Sequence, residues 1–232
     1  MRPNLPDKPV RKAFVSRLMP EQMVKELKML GVECVYPDPA VNITSELRYH
    51  PDIVLLNTSE GVWYAEKSNE QMFDFGELKH LGFDLGNIYP HDCALNCVIC
   101  GEIVICGKNA PKQLFAGKTV LEVNQGYAKC STIVVSDNAF ITADKGIYKA
   151  LTDYGFDALL TNNTGIMLNG YDCGFIGGCS GKVSNNLLVF TGDISRHNDH
   201  ENIKSFCADH NVDIYSLGNN FLYDYGGILP IY

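Results

Sequence analysis

Stretches with apolar residues at helical spacing repeatedly run into Gly or Asn and then directly into a short apolar segment. The joint occurs at Leu30-Gly31-Val32-Glu33-Cys34, Leu81-Gly82-Phe83-Asp84, Ala116-Gly117-Lys118-Thr119-Val120, Tyr154-Gly155-Phe156-Asp157-Ala158 and His210-Asn211-Val212-Asp213-Ile214. Gly, and less readily Asn, adopts the left-handed conformation that closes a helix C-terminus. The pattern therefore predicts five units in which a helix leads into a strand.

Ahead of most predicted helices, two apolar stretches flank a turn and predict a hairpin. The pairs are Ile53–Asn57 with Val62–Ala65, Ala94–Cys100 with Ile103–Cys106, and Thr132–Val135 with Ala139–Thr142. After the third pair, Asp144 is a candidate N-cap for a helix over Lys145–Tyr154. The predicted unit is therefore ββαβ.

The fifth unit is divided between the two ends of the chain. We expect its first strand at Tyr223–Leu229, its second at Lys12–Ser16, a helix from about Pro20-Glu21, and a last strand at Glu33–Tyr36. Pairing of the ends would close a ring and remove an open sheet edge. The predicted fold is a single α/β domain over residues 1–232, a five-fold pseudosymmetric β/α-propeller.

Two other α/β folds fit the sequence less well. A doubly wound nucleotide-binding fold should show a glycine-rich phosphate loop after its first strand, and neither GxGxxG nor a P-loop motif occurs. An eight-unit barrel needs more units than the pattern provides.

The amino-acid composition argues against two classes of binding partner and indicates a cellular compartment. With 19 basic and 27 acidic residues the net charge is −8, which argues against nucleic acid or an anionic membrane as a partner. We find no apolar run near the ~18 residues of a membrane span and no signal peptide at the start, and expect a cytoplasmic protein. Nine cysteines, an odd number, favour free thiols in a reducing compartment.

Chemistry-bearing residues recur just before or at the predicted strand starts. They are His50-Pro51-Asp52, His91-Asp92, Lys129-Cys130-Ser131, Tyr171-Asp172-Cys173 and Asp224. Any one of these could be an ordinary turn or cap residue. If five units surround an axis, however, their imidazole, thiol and carboxylate groups would converge at its centre.

Three segments of the chain resemble the pentein β/α-propeller enzymes that modify guanidino groups, namely arginine deiminases, dimethylarginine hydrolases and amidinotransferases. The segments are His50-Pro51-Asp52 followed by a strand, Ala94-Leu95-Asn96 followed by a strand and turn, and Gly126-Tyr127-Ala128-Lys129-Cys130-Ser131. They occur in the family's cyclic order. More narrowly, the chain is similar to small bacterial members of this fold that have no assigned function.

The resemblance implies a small-molecule substrate, no cofactor and no metal. It implies Cys130 as nucleophile, His50 as general acid/base and Asp52 as the substrate-binding or orienting carboxylate. It further implies substrate contacts from Asp92, Asn96, Asp172 and Asp224. The predicted activity is a cysteine-dependent hydrolase or transferase acting on a guanidino, amidine or amide C–N bond.

The chain departs from the catalytic families at two points. It has Gly226-Gly227-Ile228 where those families have Gly-Gly-Asp, and Asp172 follows Tyr171 rather than Arg. If the guanidinium contact is kept, Asp172, Asp92 or Asp224 must provide it. A non-catalytic module that keeps the ring and binds a small molecule or a protein is therefore the alternative prediction, and the oligomeric state stays open.

Two further cysteine sites have features of a functional thiol or a metal site. Cys179, flanked by glycines in the turn Gly177–Gly181, would be an accessible second candidate nucleophile. Cys97 and Cys100 have the spacing of a metal knuckle, but residues three apart in a strand face opposite sides, so we do not expect a metal there.

Overall fold

A computed structural model describes residues 3–58, 61–64 and 78–231. The strands are Lys12–Phe14 (β1), Glu33–Val35 (β2), Leu55–Thr58 (β3), Gly61–Tyr64 (β4), Leu78–His80 (β5), Val98–Cys100 (β6), Ile103–Gly107 (β7), Thr119–Val123 (β8), Thr132–Val134 (β9), Ala139–Thr142 (β10), Asp157–Leu160 (β11), Ile166–Met167 (β12), Ser180–Ser184 (β13), Leu187–Thr191 (β14), Asp213–Leu217 (β15), Leu222–Tyr223 (β16) and Leu229–Ile231 (β17). The α-helices are Glu21–Met29 (α1), Pro51–Val54 (α2), Lys145–Tyr154 (α3) and His200–Asp209 (α4). Shorter 3-10 helices cover Glu46–Tyr49, Lys112–Phe115 and Ile194–Arg196.

Five three-stranded sheets in the described chain share one pattern of strand directions. Their orders are β17-β1-β2, β3-β4-β5, β6-β7-β8, β9-β10-β11 and β13-β14-β15. In each, the middle strand is antiparallel to the first strand and parallel to the third. This repetition agrees with a hairpin followed by a returning parallel strand. The arrangement of the five sheets as a closed five-fold propeller stays a prediction.

The two ends of the chain lie in one sheet, as expected. Lys12 is opposite Ile231 and Phe14 is opposite Leu229 in an antiparallel pair. The C-terminal strand begins at Leu229 rather than Tyr223, because Gly226 and Gly227 adopt φ of +76° and +77°, which interrupts an extended strand.

Four of the five predicted joints are present. Gly31, Gly117, Gly155 and Asn211 all have positive φ and connect a helix to the strand that follows it. Ahead of Gly117, the helix is the 3-10 turn Lys112–Phe115.

The second predicted joint is wrong. The strand β5 ends at His80, before Gly82, and no strand follows directly. Phe83 is 45 % exposed, so this stretch lacks the buried alternation that a core strand requires. The amphipathic segment predicted ahead of Leu81 lies outside the described residues.

The strand predicted over Ile53–Asn57 begins later, at Leu55. Pro51 starts the single helical turn α2 directly after His50, since the fixed φ of proline suits the first helical position. The strand predicted from Ala94 likewise begins only at Val98. Both shortened strands leave a buried turn, and these two turns carry Asp52 and Asn96.

The thiols behave mostly as small apolar residues. All nine cysteines are free, and only Cys34 and Cys173 are not buried. Cys97 and Cys100 belong to different core clusters, as expected for opposite faces of a strand.

Within the part of the chain that the structure describes, every helix is too short or too polar to span a bilayer.

The N-terminus of α3 offers a test of the predicted unit. Asp144 accepts a hydrogen bond of 2.8 Å from the backbone N–H of Ile147. We expect Asp144→Ala to lower the free energy of unfolding by about 1 kcal/mol in urea titrations, because an N-terminal N–H loses its acceptor. Asp153→Ala removes only the exposed pair with Lys149 and should cost less than about 0.5 kcal/mol. Equal losses for the two variants would contradict the capping assignment.

Candidate functional site

Two buried segments bring an imidazole, a carboxylate and a thiol together. His50 and Asp52 lie at the start of α2, and Cys130 lies in the turn before β9. One ligand-type atom from each side chain falls within 4.8 Å of the others. The three residues are 2 %, 1 % and 1 % exposed, so the cluster is sealed from bulk solvent.

The Cys130 side chain is a hydrogen-bond donor in this cluster. Its Sγ lies 3.0 Å from Oδ2 of Asp52. Burial raises the pKa of the Cys130 thiol well above its ordinary value, and the charges of Asp52 and Asp224 raise it further, while Lys129 opposes them. The folded site therefore holds a neutral thiol, and the nearby cations alone do not convert it to the thiolate that a nucleophile requires.

Asp52 is a carboxyl group whose ionisation is unfavourable. Burial raises the pKa of Asp52 to about 6, and the charge of Asp224 adds to this, although Lys129 and His50 favour the ionised form. Oδ1 of Asp52 has no hydrogen-bond partner among the described residues.

Nδ1 of His50 is also unpaired within the described chain. It lies 3.7 Å from Oδ1 of Asp224, beyond hydrogen-bond length. Buried polar atoms without partners are costly and uncommon, and they occur where a ligand or water completes the site. His50 Nδ1 and Asp52 Oδ1 are therefore the two atoms of the cluster to which a ligand could hydrogen-bond.

Asn96 fixes the position of the thiol. Its Oδ1 accepts from the backbone N–H groups of Lys129 and Cys130 at 2.8 and 3.0 Å. Its Nδ2 donates to the carbonyl of Asp52 at 3.1 Å and to Sγ of Cys130 at 3.2 Å. The amide thus uses both donors and both acceptor positions inside the protein, which favours a positioning role over the substrate contact expected from the sequence.

Of the three carboxylates considered as replacements for the missing Gly-Gly-Asp, Asp224 is the one placed beside His50. It is 1 % exposed and accepts from the N–H groups of Phe175 and Gly226 at 2.8 and 2.9 Å. Asp92 is buried but accepts at 2.6 Å from the hydroxyl of Tyr127. Asp172 is exposed.

Asp172 lies outside the buried cluster because the sheet β13-β14-β15 starts later in the chain than expected. Its first strand is β13, so the buried residues ahead of that strand are Gly177, Gly178 and Cys179 rather than Tyr171–Cys173. A Cβ on Gly178 would lie 2.1 Å from Oδ1 of Asp224, so glycine is required for this close approach.

The expectation that Cys179 is accessible is wrong. Its side chain is fully buried, and its Sγ donates at 3.2 Å to the carbonyl of Ile176. The glycines around it serve close packing rather than exposure.

Sequence reasoning missed the roles of Lys129 and Gly226. Lys129 is 7 % exposed, and its Nζ donates at 3.2 Å to the carbonyl of Gly177. Gly226 has positive φ, and a Cβ there would lie 2.4 Å from Cβ of His50. A lysine next to the candidate nucleophile was the available signal for the first, and two adjacent glycines near the C-terminus were the signal for the second.

A family model for a family of unknown function, DUF6873, matches residues 14–229. The chain belongs to the DUF6873 family. No curated protein sequence matches it significantly.

This DUF6873 chain shares its fold with solved guanidino-modifying enzymes of the pentein type. Inosamine-phosphate amidinotransferase from Streptomyces griseus is 11% identical with a TM-score of 0.63, and the match covers 100% of this chain and 96% of that one. Agmatine deiminase from C. jejuni is 12% identical with a TM-score of 0.57, covering 94% and 90%. Dimethylarginine dimethylaminohydrolase from Pseudomonas aeruginosa, in complex with citrulline, is 10% identical with a TM-score of 0.56, covering 90% and 92%.

The buried carboxyl group of the DUF6873 chain gives a pH-dependent prediction. Because the folded-state pKa of Asp52 is raised from 3.8 to about 6, the folded chain binds its proton more tightly than the unfolded chain. Stability from this group is fully present below about pH 4 and is lost as the pH rises to about 6. Relative to wild type, Asp52→Asn should gain up to about 3 kcal/mol of unfolding free energy between about pH 4 and pH 7.

Urea titrations of both proteins across this range would measure the difference. Asp137→Asn, an exposed carboxyl substitution, is the control and should follow the wild-type curve. Parallel curves for wild type and Asp52→Asn would contradict the raised pKa of Asp52.

Proposed function

We propose that this protein is a cysteine-dependent hydrolase or transferase that acts on a guanidino or amidine C–N bond of a small molecule. Cys130 is the nucleophile, His50 the general acid/base and Asp52 the carboxylate that binds the substrate. The observation that carries this proposal is the sealed cluster in which His50 Nδ1 and Asp52 Oδ1 are unpaired next to a thiol. An amidinium group offers N–H donors in a plane, which suits a carboxylate oxygen that lacks a donor.

The electrostatics of the cluster favour a cationic substrate. The negative charges of Asp52 and Asp224 contribute to the raised pKa of Cys130. An amidinium bound against these carboxylates would offset their charge and lower the pKa of the thiol. Formation of the nucleophile would then be coupled to binding of the correct substrate, and the empty site would stay unreactive.

The covalent steps follow from these positions. His50 takes the thiol proton of Cys130 as Sγ forms a bond to the amidine carbon, and it passes this proton to the leaving amine as the C–N bond breaks. In the second step a water oxygen bonds to the same carbon and the C–S bond breaks. His50 takes a proton from that water and returns it to the departing sulfur, which restores the thiol. An acceptor amine in place of water would give the transferase reaction.

Two further lines support the assignment. The residues of the site precede strands of at least three sheets. His50 and Asp52 precede β3, Asn96 precedes β6 and Cys130 precedes β9, as a five-unit ring over residues 1–232 would require. The similar solved structures carry the names of an amidinotransferase, a deiminase and a dimethylaminohydrolase. Nine free thiols agree with a cytoplasmic location.

A binding module is the second candidate function. The observation that favours it is the raised pKa of Cys130 together with its 1 % exposure, since a protein that only binds a ligand needs neither a thiolate nor access to it.

Labelling of Cys130 separates the two functions. We expect a small cationic haloalkyl amidine to label Cys130 at least about ten-fold faster than the neutral amide of equal reach, after both rates are divided by those for glutathione, because binding of the cation generates the thiolate. Asp52→Asn, which removes the carboxylate that binds the cation, should abolish the preference. Peptide mapping by mass spectrometry after brief treatment gives the rates.

The remaining outcomes are informative as well. Equal labelling by both reagents would reject the amidine assignment and indicate a thiol enzyme with a neutral amide substrate. No labelling of Cys130 in folded protein, while exposed Cys173 reacts, would favour the binding module.

A further inference from the structure

A large cavity lies outside the buried cluster. It has a volume of about 960 Å³ and is lined by residues 163–173 together with Glu46 and Tyr223. The two charged residues among the described lining are Glu46 and Asp172, and both are acidic. The other lining groups are amides, hydroxyls, a thiol and apolar side chains, so no lysine or arginine of the described lining offers a partner to an anion.

The wall between this cavity and the cluster is thin. Asp224 follows the lining residue Tyr223, and its backbone N–H donates at 2.9 Å to the carbonyl of Met167, which also lines the cavity. On its other side, the carboxylate of Asp224 faces His50 at 3.7 Å. The charge of Asp224 raises the pKa of both Cys173 in the cavity lining and Cys130 in the cluster.

Glu46 gives a second connection. It opens the 3-10 helix Glu46–Tyr49, which leads directly into His50. Its carboxylate accepts from Nδ2 of Asn169 at 2.9 Å and from the hydroxyl of Tyr223. These neutral donors orient the carboxylate without cancelling its charge.

Two other described cavities next to the cluster are small. Their volumes are only about 10 and 20 Å³, and Asn4 and Lys129 line both. The side chain of Asn4 is held by the N–H of Ile99 at 2.8 Å. Spaces of this size accommodate at most about one water molecule. Of these three cavities in the described part of the chain, only the one of 960 Å³ has room for a substrate.

We propose that the substrate carries a second positive charge at the end remote from its guanidino or amidine group, and that Glu46 and Asp172 bind this cationic tail. This inference rests on the proposed function of the buried cluster. A substrate whose tail carries only a carboxylate would place its anion against two acidic side chains and is disfavoured.

Alkylguanidines with matched chains test the proposal. One series ends in a primary amine, one in a methyl group and one in a carboxylate, each made with several chain lengths. Isothermal titration calorimetry with full-length protein would measure binding. We expect the amine series to bind about five- to thirty-fold tighter than the methyl series, because each of the two partly exposed ion pairs contributes up to about 1 kcal/mol. The carboxylate series should bind more weakly than either.

Glu46→Gln and Asp172→Asn should each weaken the amine series by up to about five-fold and leave the methyl series unchanged. Asp172 accepts none of the hydrogen bonds found in the described chain, so its substitution tests charge without disturbing Glu46. Glu102→Gln, whose side chain is 81 % exposed on the β6–β7 turn, is the matched control. It should not change binding in any series.

The possible failures can be distinguished. If guanidines bind but the three series are equal, or the carboxylate series binds best, the cationic tail is rejected and the proposed function stands. If no guanidine binds, the proposed function and this inference both fail. If a diamine without a guanidino group binds as tightly as the amine series, and Asp52→Asn leaves that binding unchanged, the cavity binds cations independently of the cluster and the inference is overturned.

Discussion

The four hydrogen bonds of the Asn96 amide hold the candidate site together. They join the turn after His50, the turn before β6 and the turn before β9, which belong to three different sheets. Asn96 is fully buried, so these bonds form away from competing water. A shift of any one sheet against the others would break a buried hydrogen bond, and the distance between Cys130 and Asp52 is fixed as a consequence.

The charges and the burial of the cluster keep the Cys130 thiol neutral. Burial disfavours ionisation of both Asp52 and Cys130, and it raises the pKa of both groups. Lys129 lies close enough to oppose both shifts, but its Nζ donates to the carbonyl of Gly177 rather than to the thiol. The proton therefore stays between sulfur and carboxylate, and under the proposed function the positive charge of the substrate would release it.

Local sequence signals predicted the elements that depend on local physics. Helix α3 begins and ends where the Asp144 cap and Gly155 place it, and the hairpin pairs were predicted from apolar stretches that flank a turn. The convergence of His50, Asp52, Cys130 and Asp224 was also expected, because these residues stand before or at predicted strands in different units. Tyr171–Cys173 was expected there too but is exposed. The errors occurred where a tertiary contact changes the local pattern.

The turns at Pro51–Val54 and Ala94–Cys97 illustrate such errors. They are apolar enough to predict strands. Pro51 favours the helical turn that follows it, and the hydrogen bonds of Asn96 connect both turns to neighbouring segments. The start of the sheet β13-β14-β15 was predicted too early in the chain for a similar reason. Gly177 and Gly178 are glycines because the backbone of Lys129 and the carboxylate of Asp224 lie against them, and neither contact is visible in the sequence.

The same close packing explains how the site can lack the Gly-Gly-Asp carboxylate. Ile228 is 1 % exposed and belongs to a core cluster with Val183 and Val189, so its side chain contributes to stability. The two preceding glycines have positive φ and let the chain turn against His50. This turn places Asp224, two residues before Gly226, beside the imidazole, where the N–H of Gly226 holds its carboxylate. Asp224 therefore supplies a carboxylate beside the imidazole although Ile228 is apolar, and the proposed binding of a cationic group does not depend on a carboxylate at position 228.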